Sequence, residues 1–492
     1  MGLTALEFYS GIGGMHYALQ LAAPAAAVLD AFDINHSANR CYEHNFGKAP
    51  KQVDIEHMTA AQLDAYAADL WLLAPPCQPF TRQGAQLGAQ DNRSRSFLNL
   101  LDRIPAMRSP PRFLLLENVV GFEASDMQQL LMQCLAGAGY HAAEFMLTPL
   151  QYGIPYSRPR YFCLASKQPL PVALPAGAQP CQCTPLLLLQ LKQQQAYMQT
   201  LTAAAQQVMA SHVTYVQSIG EYLWGTQSAQ QQQQQGQHLH SQSPQFQQQQ
   251  QSLAASDCNR KPQPAAAVAP DLLAEMWVPN AVLERHAEVV DVVSSASCSC
   301  NCFTKAYGKL ARGAGSLLAT VEDPGSVDSR WRLLGGTGSL VYEGYPNCPE
   351  AASSSSCCRP TAFPTTSSSG SSGTGGAVTA EADASITAAD ATEAEQACPA
   401  VDFKKISAAA APLRAFDRES LAAAWQQLRP RYFTPAEIAR LHSFPQQFNF
   451  PDDMTPRQCY KLLGNSLSVA VVADLLRFLL LSGSPDASAV DA

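Results

Sequence analysis

From Leu3 to Ser166, short apolar runs alternate with segments whose apolar residues recur at helical spacing. The runs that predict β-strands cover residues 4–8, 26–32, 69–73, 113–116, 143–147 and 160–165. The helical segments cover residues 15–21, 37–45 and 127–138, and Gly139 follows the last one as a C-terminal stop would. Because strands alternate with helices, the pattern predicts an α/β domain with a mostly parallel, doubly wound sheet.

The regular pattern stops after Lys167 and returns near the C-terminus. Glutamine dominates residues 227–251, and serine, alanine, glycine and threonine dominate residues 351–400. Such segments bury too little apolar surface to offset their ordering entropy. We therefore expect a first part of the main domain at 1–168, a small irregular module at 169–424 with disordered insertions at about 227–265 and 351–400, a return to the main domain at 425–482, and a disordered tail at 483–492. In the returning part, Thr434, Pro435 and Glu437 predict the capped start of a helix.

Composition narrows the possible functions. A net charge of -8 argues against a protein that coats nucleic acid nonspecifically, but it permits a local basic cleft. The 15 cysteines of this long chain are expected to be reduced thiols, and their close groupings lack the usual spacing of zinc ligands, so we expect no metal. The N-terminus has no secretory pattern, and no apolar run is long enough to predict a membrane span. We expect a monomer in the cytoplasm, with the nucleus as an alternative.

A glycine-rich segment joins the first predicted strand to the first predicted helix. Residues 8–14 read Phe-Tyr-Ser-Gly-Ile-Gly-Gly, and glycines let the backbone approach a ligand closely. Asp33 ends the second predicted strand, where a carboxylate can bind ribose hydroxyls. Asp54 is expected to end a further short strand and to meet an adenine amino group. The spacing of the glycines differs from the G-x-G-x-x-G pattern of dinucleotide folds.

Two strands end in side chains that can do chemistry. Cys77 follows the strand at 69–73 in the sequence Pro-Pro-Cys-Gln-Pro, which presents the thiol at the edge of the sheet where ligands bind in such folds. Glu117 follows four apolar residues, so it should face a polar ligand or a cation. Arg158 and Arg160 precede the last strand and could hold a phosphate or a base edge. The segment 81–96 resembles a mobile lid with basic residues.

Five motifs occur in the order typical of one enzyme family. They are the glycine segment at 8–14, Pro-Pro-Cys-Gln-Pro-Phe at 75–80, Glu-Asn-Val at 117–119, Gln-Tyr-Gly-Ile-Pro-Tyr-Ser-Arg-Pro-Arg at 151–160 and Leu-Gly-Asn-Ser at 463–466. With these motifs the chain resembles the cytosine-5 methyltransferases. Cys-Phe-Thr at 302–304 and Arg-Tyr-Phe-Thr-Pro at 431–435 resemble the second DNA methyltransferase homologue family of eukaryotes. The resemblance covers about 1–168, 270–320 and 425–482.

The resemblance implies a Rossmann-like class I methyltransferase fold with S-adenosylmethionine as cofactor. It also implies methylation of tRNA, at cytosine 38 in the anticodon loop of aspartate tRNA, with the irregular module as the target-recognition part. The expected catalytic residues are Cys77, Glu117, Arg158 and Arg160. The expected cofactor-binding residues are Phe8, Tyr9, Ser10, Gly11, Gly13, Gly14, Asp33, Ile34, Asp54, Ile55, Pro75, Asn465 and Ser466. The expected substrate-binding residues are Gln78, Arg82, Arg93, Arg95, Asn118, Cys302, Phe303 and Thr304.

The implied mechanism agrees with the chemistry of these residues. A thiolate from Cys77 would add to carbon 6 of the base, which activates carbon 5 toward the methyl group, while Glu117 stabilises the charge that develops on the ring. Three alternatives stay open at this point. A DNA methyltransferase shares nearly every motif; an idle RNA-binding protein would need neither Cys77 nor Glu117; and an NAD-dependent oxidoreductase would leave Pro-Pro-Cys-Gln unexplained.

Overall fold

A six-stranded sheet forms the centre of the protein. The structure, a computed structural model, describes residues 2–76, 94–174, 179–198, 217–223, 276–287, 289–321, 331–333, 340–342 and 418–482. The strands are β1 Thr4–Phe8, β2 Ala27–Phe32, β3 Leu70–Leu73, β4 Phe113–Val119, β5 His141–Leu147 and β6 Arg160–Ser166. Their order is β2-β1-β3-β4-β6-β5, and all pairs are parallel except those that involve β6. The six predicted strands and the mostly parallel sheet are confirmed.

Helices cover both faces of this sheet. The helices before and between the strands are α1 Gly14–Ala22, α2 His36–Phe46, α3 Ala60–Asp64, α4 Arg95–Arg103 and α5 Asp126–Gly137. Later in the chain lie α6 Pro185–Met198, α7 Asn280–His286, α8 Arg418–Gln427, α9 Pro435–Leu441, α10 Pro456–Gly464 and α11 Val469–Leu481. Short 3-10 helices occupy Ile55–His57, Ile104–Ala106, Phe122–Ala124, Pro149–Tyr152 and Ile219–Tyr222. Because the central strand β3 is covered on both sides, its sequence Leu-Trp-Leu-Leu is apolar throughout.

Alternate strand residues face two separate cores. Leu70 and Leu72 of β3 pack in the core that contains α1 and α11, whereas Trp71 and Leu73 pack in the core that contains α4 and α5. This period of two is what a strand requires when both faces are buried. The sheet is therefore doubly wound, as the pattern predicts.

The C-terminal helices pack on the first part of the chain. Tyr152 donates a hydrogen bond to Asp474 of α11 over 3.1 Å, and Ser482 donates one to Ser166 of β6 over 2.9 Å. The stretch Pro456–Leu481 is long and apolar enough to cross a membrane by length and composition, but 67% of its most apolar window is buried inside the protein. A core helix of a globular domain has these same properties.

The irregular module shares a small core with the start of the returning segment. This core includes Val278 and Leu283 of the module and Trp425 and Leu428 of the returning segment. Two short two-stranded sheets, β7 Val292–Val293 with β8 Leu317–Leu318 and β9 Trp331–Leu333 with β10 Leu340–Tyr342, belong to the module. The expected insertions at 227–265 and 351–400 and the tail at 483–492 lie outside the described residues.

Two helices of the returning segment begin with capping boxes. Thr434 accepts a hydrogen bond from the backbone N–H of Glu437, and the Glu437 side chain accepts one from the N–H of Thr434, as the sequence predicts. Glu437 also forms a bidentate pair with Arg431, with both N–O distances at 2.8 Å. This pair fixes the segment that enters α9, because a forked guanidinium pair is stronger and more directional than a single contact.

Gly464 of the returning segment packs closely against the backbone of the module. A Cβ at this position would lie 2.2 Å from the backbone nitrogen of Lys305. We predict that Gly464→Ala lowers the free energy of unfolding by about 1–3 kcal/mol, the usual cost of overpacking, because backbone has to move. Chemical denaturation checks this value. Gly137→Ala in α5 is the matched control, because a Cβ there meets nothing within 4 Å and alanine favours a helix. Equal stability of the two variants would contradict the packing argument.

Candidate functional site

The turn between β1 and α1 depends on glycine. Gly11 and Gly13 have φ values of 53° and 83°, and Tyr9 between strand and turn has a φ of 59°. A Cβ at Gly13 would lie 2.2 Å from Cε2 of Phe46, so no other residue fits there without displacing that ring. At Gly11, in contrast, a Cβ would meet nothing within 4 Å, so the turn is open on that side. The turn thus presents backbone to open space.

Asp33 holds this turn from the end of β2. Its Oδ2 accepts a hydrogen bond from the N–H of Gly11 over 2.8 Å, and its Oδ1 accepts one from the N–H of Asn35 over 2.7 Å. Burial raises the pKa of Asp33, although these backbone hydrogen bonds act in the opposite direction. Because each carboxylate oxygen can accept two hydrogen bonds, both oxygens can also receive ribose hydroxyls.

The residues around the turn fit the cofactor that the resemblance implies. The Ser10 hydroxyl is buried and has no hydrogen-bond partner among the described residues, which is unusual for a buried polar atom. Ile34, next to Asp33, is 80% exposed and offers an apolar surface. An unpartnered hydroxyl, a carboxylate with free lone pairs, open backbone and an exposed apolar side chain together suit a nucleoside with a polar tail. Phe8, by contrast, is buried in the sheet, where its ring stacks on Phe32.

Asp54 does not end a strand, and that prediction is wrong. Its side chain caps the 3-10 helix Ile55–His57 by accepting a hydrogen bond from the N–H of Glu56, and it also pairs with His57 over 2.9 Å. Local capping by an aspartate competes with strand formation and wins here. Ile55 is buried in the core beside α4. Lys51, three residues before Asp54, forms a β-bridge with Phe32, the last residue of β2. The exposed Asp54 carboxylate therefore still lies on the side of the sheet where β2 ends.

Gly14 and Ser466 bring the two distant parts of the chain together. A Cβ at Gly14 would lie 3.0 Å from Cδ1 of Leu467 and 3.4 Å from Oγ of Ser466. Ser466 lies two residues before the N-cap of the last helix. The N-cap of α11 is Ser468, which makes no side-chain capping bond, because α11 begins at Val469. Asn465 ends α10 as its C-cap, and it is exposed.

The expected nucleophile follows a buried loop that β4 holds in place. Asn118 donates a hydrogen bond from Nδ2 to the carbonyl of Pro75 over 3.3 Å, and both residues are buried. β3 and β4 are parallel neighbours, so their carboxyl ends share one edge of the sheet. Cys77, Gln78, Arg82 and Arg93 lie outside the described residues. Asn118 therefore acts on the chain directly before Cys77 rather than as a free substrate contact.

Glu117 and Arg160 form an ion pair at the same edge. Arg160 Nε lies 3.2 Å from Glu117 Oε1, and the two side chains are only 15% and 13% exposed. The strand β6 runs antiparallel to β4, so its first residue lies beside the last residues of β4. Burial raises the pKa of Glu117, while Arg160 and then Arg158 counteract this rise. Glu117 is thus a carboxyl that can hold a proton closer to neutral pH than an exposed glutamate.

Arg158 is buried, whereas the sequence predicts a side chain that holds a phosphate or a base edge. It is 2% exposed, and its Nη1 donates to the carbonyl of Phe303 over 3.2 Å. Its Nη2 donates to the carbonyls of Gly464, over 3.1 Å, and Ser466. With these acceptors Arg158 joins the module and the returning segment to the chain before β6. It is not positioned as an exposed phosphate clamp.

The Cys-Phe-Thr segment packs around the same arginine. Cys302 Sγ lies 3.2 Å from Arg158 Nη1, and although burial opposes its ionisation, Arg158 and Arg160 lower the pKa of this thiol. Phe303 is buried and stacks against Tyr156, with ring centroids 5.5 Å apart. Thr304 accepts a hydrogen bond from the N–H of Ala306. Phe303 therefore stabilises the core. It does not face a substrate, although the sequence predicts a substrate contact at this position.

Arg95 is the remaining predicted substrate contact among the described residues. It begins α4, its side chain is 60% exposed, and its Nη1 lies 3.7 Å from Glu56 Oε1. A surface pair of this length is weak, so the guanidinium can exchange Glu56 for a phosphate. This position agrees with a peripheral contact.

Sequence reasoning missed a buried polar group beneath the turn. Glu7 lies in β1, is 1% exposed, and contacts Tyr42 and the backbone of His16. The available signal is a single charged residue in the otherwise apolar strand Thr4–Phe8. A charge in such a strand is costly to bury and indicates a specific partner.

Comparisons with known proteins identify a family. Residues 3–292 and 345–480 match the family model described as C-5 cytosine-specific DNA methylase. The chain is 30% identical to the tRNA (cytosine(38)-C(5))-methyltransferase of Mus musculus over 97% of this chain and 93% of the relative. It is also 30% identical to the Homo sapiens protein of the same name, over 97% of this chain and 99% of the relative. The crystal structure of S. pombe Dnmt2 methyltransferase superimposes with a TM-score of 0.56 at 26% identity, covering 98% and 99% of the two chains.

Asn465 provides a test of whether the returning segment completes the cofactor site. We predict that Asn465→Ala weakens S-adenosylmethionine binding by about 1–3 kcal/mol, the usual cost of removing one side of a hydrogen-bonded contact. Calorimetric titration of the folded variant measures this change. Gln447→Ala, at an exposed position of the same segment, serves as the control. An unchanged dissociation constant in the Asn465 variant would show that this residue only ends α10.

Proposed function

The chain belongs to the C-5 cytosine-specific DNA methylase family, and on this premise we propose that it methylates cytosine 38 in the anticodon loop of aspartate tRNA. The family establishes an S-adenosylmethionine-dependent cytosine-5 methyltransferase. The observation that carries the finer proposal is the 30% identity to relatives named tRNA (cytosine(38)-C(5))-methyltransferase, which extends over nearly the full length of both chains. The Cys-Phe-Thr segment at 302–304 supports the same choice of substrate.

In the proposed mechanism, the Cys77 thiolate forms a bond to carbon 6 of the cytosine. The ring then carries electron density at carbon 5, which can take a methyl group, and the sulfonium of the bound cofactor supplies that methyl group. A base then takes the proton from carbon 5, and the electron pair of that C–H bond re-forms the ring double bond and expels the Cys77 thiolate from carbon 6. Asn118 supports the addition of the thiolate, because its hydrogen bond to Pro75 fixes the chain two residues before Cys77.

Glu117 stabilises the negative charge that develops on the cytosine ring during thiolate addition. Burial raises the pKa of Glu117, and in its protonated form the carboxyl can donate to ring nitrogen 3 as that nitrogen gains electron density. Arg160 pairs with Oε1, and no hydrogen bond among the described residues engages Oε2, so that oxygen is available to the base. Arg160 also keeps the carboxyl oriented.

A tRNA loop suits this site on energetic grounds. The target base must leave its stack to meet both Cys77 and the cofactor, and this costs least where the strand is already single. A net charge of -8 further suits recognition of one shaped loop at a local basic edge, to which the exposed Arg95 contributes.

Cys77→Ala tests the mechanism. We predict that the variant loses all detectable methyl transfer while it binds S-adenosylmethionine as the unaltered protein does, because the thiol acts on the base and the glycine turn holds the cofactor. Incorporation of labelled methyl groups into the acceptor measures methyl transfer, and calorimetric titration measures S-adenosylmethionine binding. Cys134→Ala in α5 is the control, since this thiol donates to the carbonyl of Leu101, away from the sheet edge.

The substrate is tested with the unaltered protein and two acceptors, total tRNA and duplex DNA. We expect methylation of tRNA, and bisulfite sequencing should locate it at cytosine 38 of aspartate tRNA. Transfer to duplex DNA alone would replace the tRNA assignment with a DNA methyltransferase. Turnover by the Cys77 variant would overturn the mechanism.

A further inference from the structure

Glu7 is a buried carboxyl without a cation. It lies one residue before the glycine turn, Oε1 accepts the N–H of His16 over 3.2 Å, and Oε2 lies 3.0 Å from the hydroxyl of Tyr42. No lysine or arginine of the described residues pairs with it, and the charged group that acts on it is the carboxylate of Asp33. Burial, with a smaller contribution from Asp33, raises the pKa of Glu7 to about 8, although the hydrogen bonds from Tyr42 and His16 act in the opposite direction. At neutral pH the group therefore retains its proton.

A hydrogen-bonded path connects Glu7 to the surface. The Tyr42 hydroxyl lies 2.7 Å from Nδ1 of His16, and His16, half-buried, lines a cavity together with Tyr42, Lys48 and Asp30. Burial lowers the pKa of His16 to about 4, so its ring is neutral and carries one proton on either nitrogen. Asp30 is neutralised by Lys48 and Lys51, each at 2.6 Å. Asp33 is therefore the like charge that an ionised Glu7 would face.

Two complete arrangements of hydrogen atoms fit these distances. With Glu7 protonated, Oε2–H donates to Tyr42, Tyr42 donates to His16 Nδ1, and the proton of the imidazole is on Nε2. With Glu7 ionised, Tyr42 donates to Oε2, His16 donates from Nδ1 to Tyr42, and the Nε2 proton has left to solvent. One proton is lost overall, and no heavy atom has to move.

We propose that Glu7 is a proton-linked element of the cofactor site that ionises through Tyr42 and His16 when S-adenosylmethionine binds, and that it thereby favours this cofactor over the product S-adenosylhomocysteine. The sulfonium gives the cofactor one more positive charge than the product. A cation at the turn favours the ionised form of a carboxyl buried beneath it. By linkage, the ionised carboxyl strengthens binding of the cation by the same factor. Methyl transfer removes the charge, so Glu7 takes back its proton and the product is released more readily.

Calorimetric titration tests this linkage without any nucleic acid, so its outcome is independent of the tRNA proposal. The protein and Glu7→Gln are titrated with S-adenosylmethionine and S-adenosylhomocysteine in phosphate and in Tris buffer near pH 8. The dependence of the enthalpy on the buffer gives the number of protons released. Glutamine keeps the size and hydrogen bonding of Glu7 but cannot ionise. The amino group of each ligand contributes equally with both proteins, so it cancels when the proteins are compared.

We expect the unaltered protein to release more protons with S-adenosylmethionine than Glu7→Gln does. Its preference for S-adenosylmethionine should also increase about three- to tenfold from pH 6.5 to 9.5, as a cofactor-induced pKa decrease of about half to one unit requires. Glu7→Gln should lack this increase once the titration of the ligand amino groups, which both proteins share, is subtracted. Equal proton release by the two proteins, or the same pH dependence of the preference in both, would overturn the proposal.

Tyr42→Phe separates the linkage from a merely structural role. This substitution removes the hydrogen bond that stabilises ionised Glu7. The pH at which the preference for S-adenosylmethionine over S-adenosylhomocysteine increases should therefore rise, and the increase itself should remain. The melting temperature gives a second readout. Because the folded-state pKa of Glu7 lies above its ordinary value of 4.5, its stabilising contribution is complete below that pH and is lost as the pH rises to about 8. Glu7→Gln should lack this loss, and identical pH profiles of melting would contradict a proton on Glu7.

Discussion

The buried guanidinium of Arg158 is the constraint on which the assembled site depends. A charge that is 2% exposed has to be matched by acceptors, because an unpaired buried ion is prohibitively costly. Its acceptors are carbonyls of Phe303, Gly464 and Ser466, which lie up to 308 residues away in the chain. One side chain thus joins the irregular module and the returning segment to the central sheet domain. The close contact of Gly464 with the backbone at Lys305 follows from this convergence.

The antiparallel strand β6 gives the edge of the sheet its charge. Parallel strands direct only their carboxyl ends toward this edge, where Glu117 and the approach to Cys77 lie. The reversed direction of β6 brings its first residue, Arg160, opposite Val119 and into contact with Glu117. The same reversal places Arg158 at the start of the strand, near both the carboxyl and the module. A fully parallel sheet would leave Glu117 without a cation.

The sequence predicts those features that depend on local pattern. All six central strands, the capping box at Thr434 and the glycine turn follow from apolar periodicity and from the backbone needs of glycine. The short strand predicted to end at Asp54 does not form, because the Asp54 carboxylate caps the 3-10 helix that begins at Ile55. The hydrogen bonds of Arg158 and the path from Glu7 to His16 join distant segments, and no periodicity in the chain reports such contacts. The burial of Phe303 is likewise a property of the packed module.

The proposed mechanism assigns the attack on the base to Cys77 and not to the thiol of Cys302. Cys302 is the alternative candidate for the nucleophile, since Arg158 and Arg160 lower the pKa of its thiol. The most direct measurement uses an aspartate tRNA anticodon stem-loop with 5-fluorocytosine at position 38, together with S-adenosylmethionine. Fluorine cannot leave as a proton does, so the covalent adduct persists. Mass spectrometry of the digested complex should find the methylated nucleotide on the peptide that contains Cys77. A nucleotide on Cys302, or no adduct at all, would contradict the account.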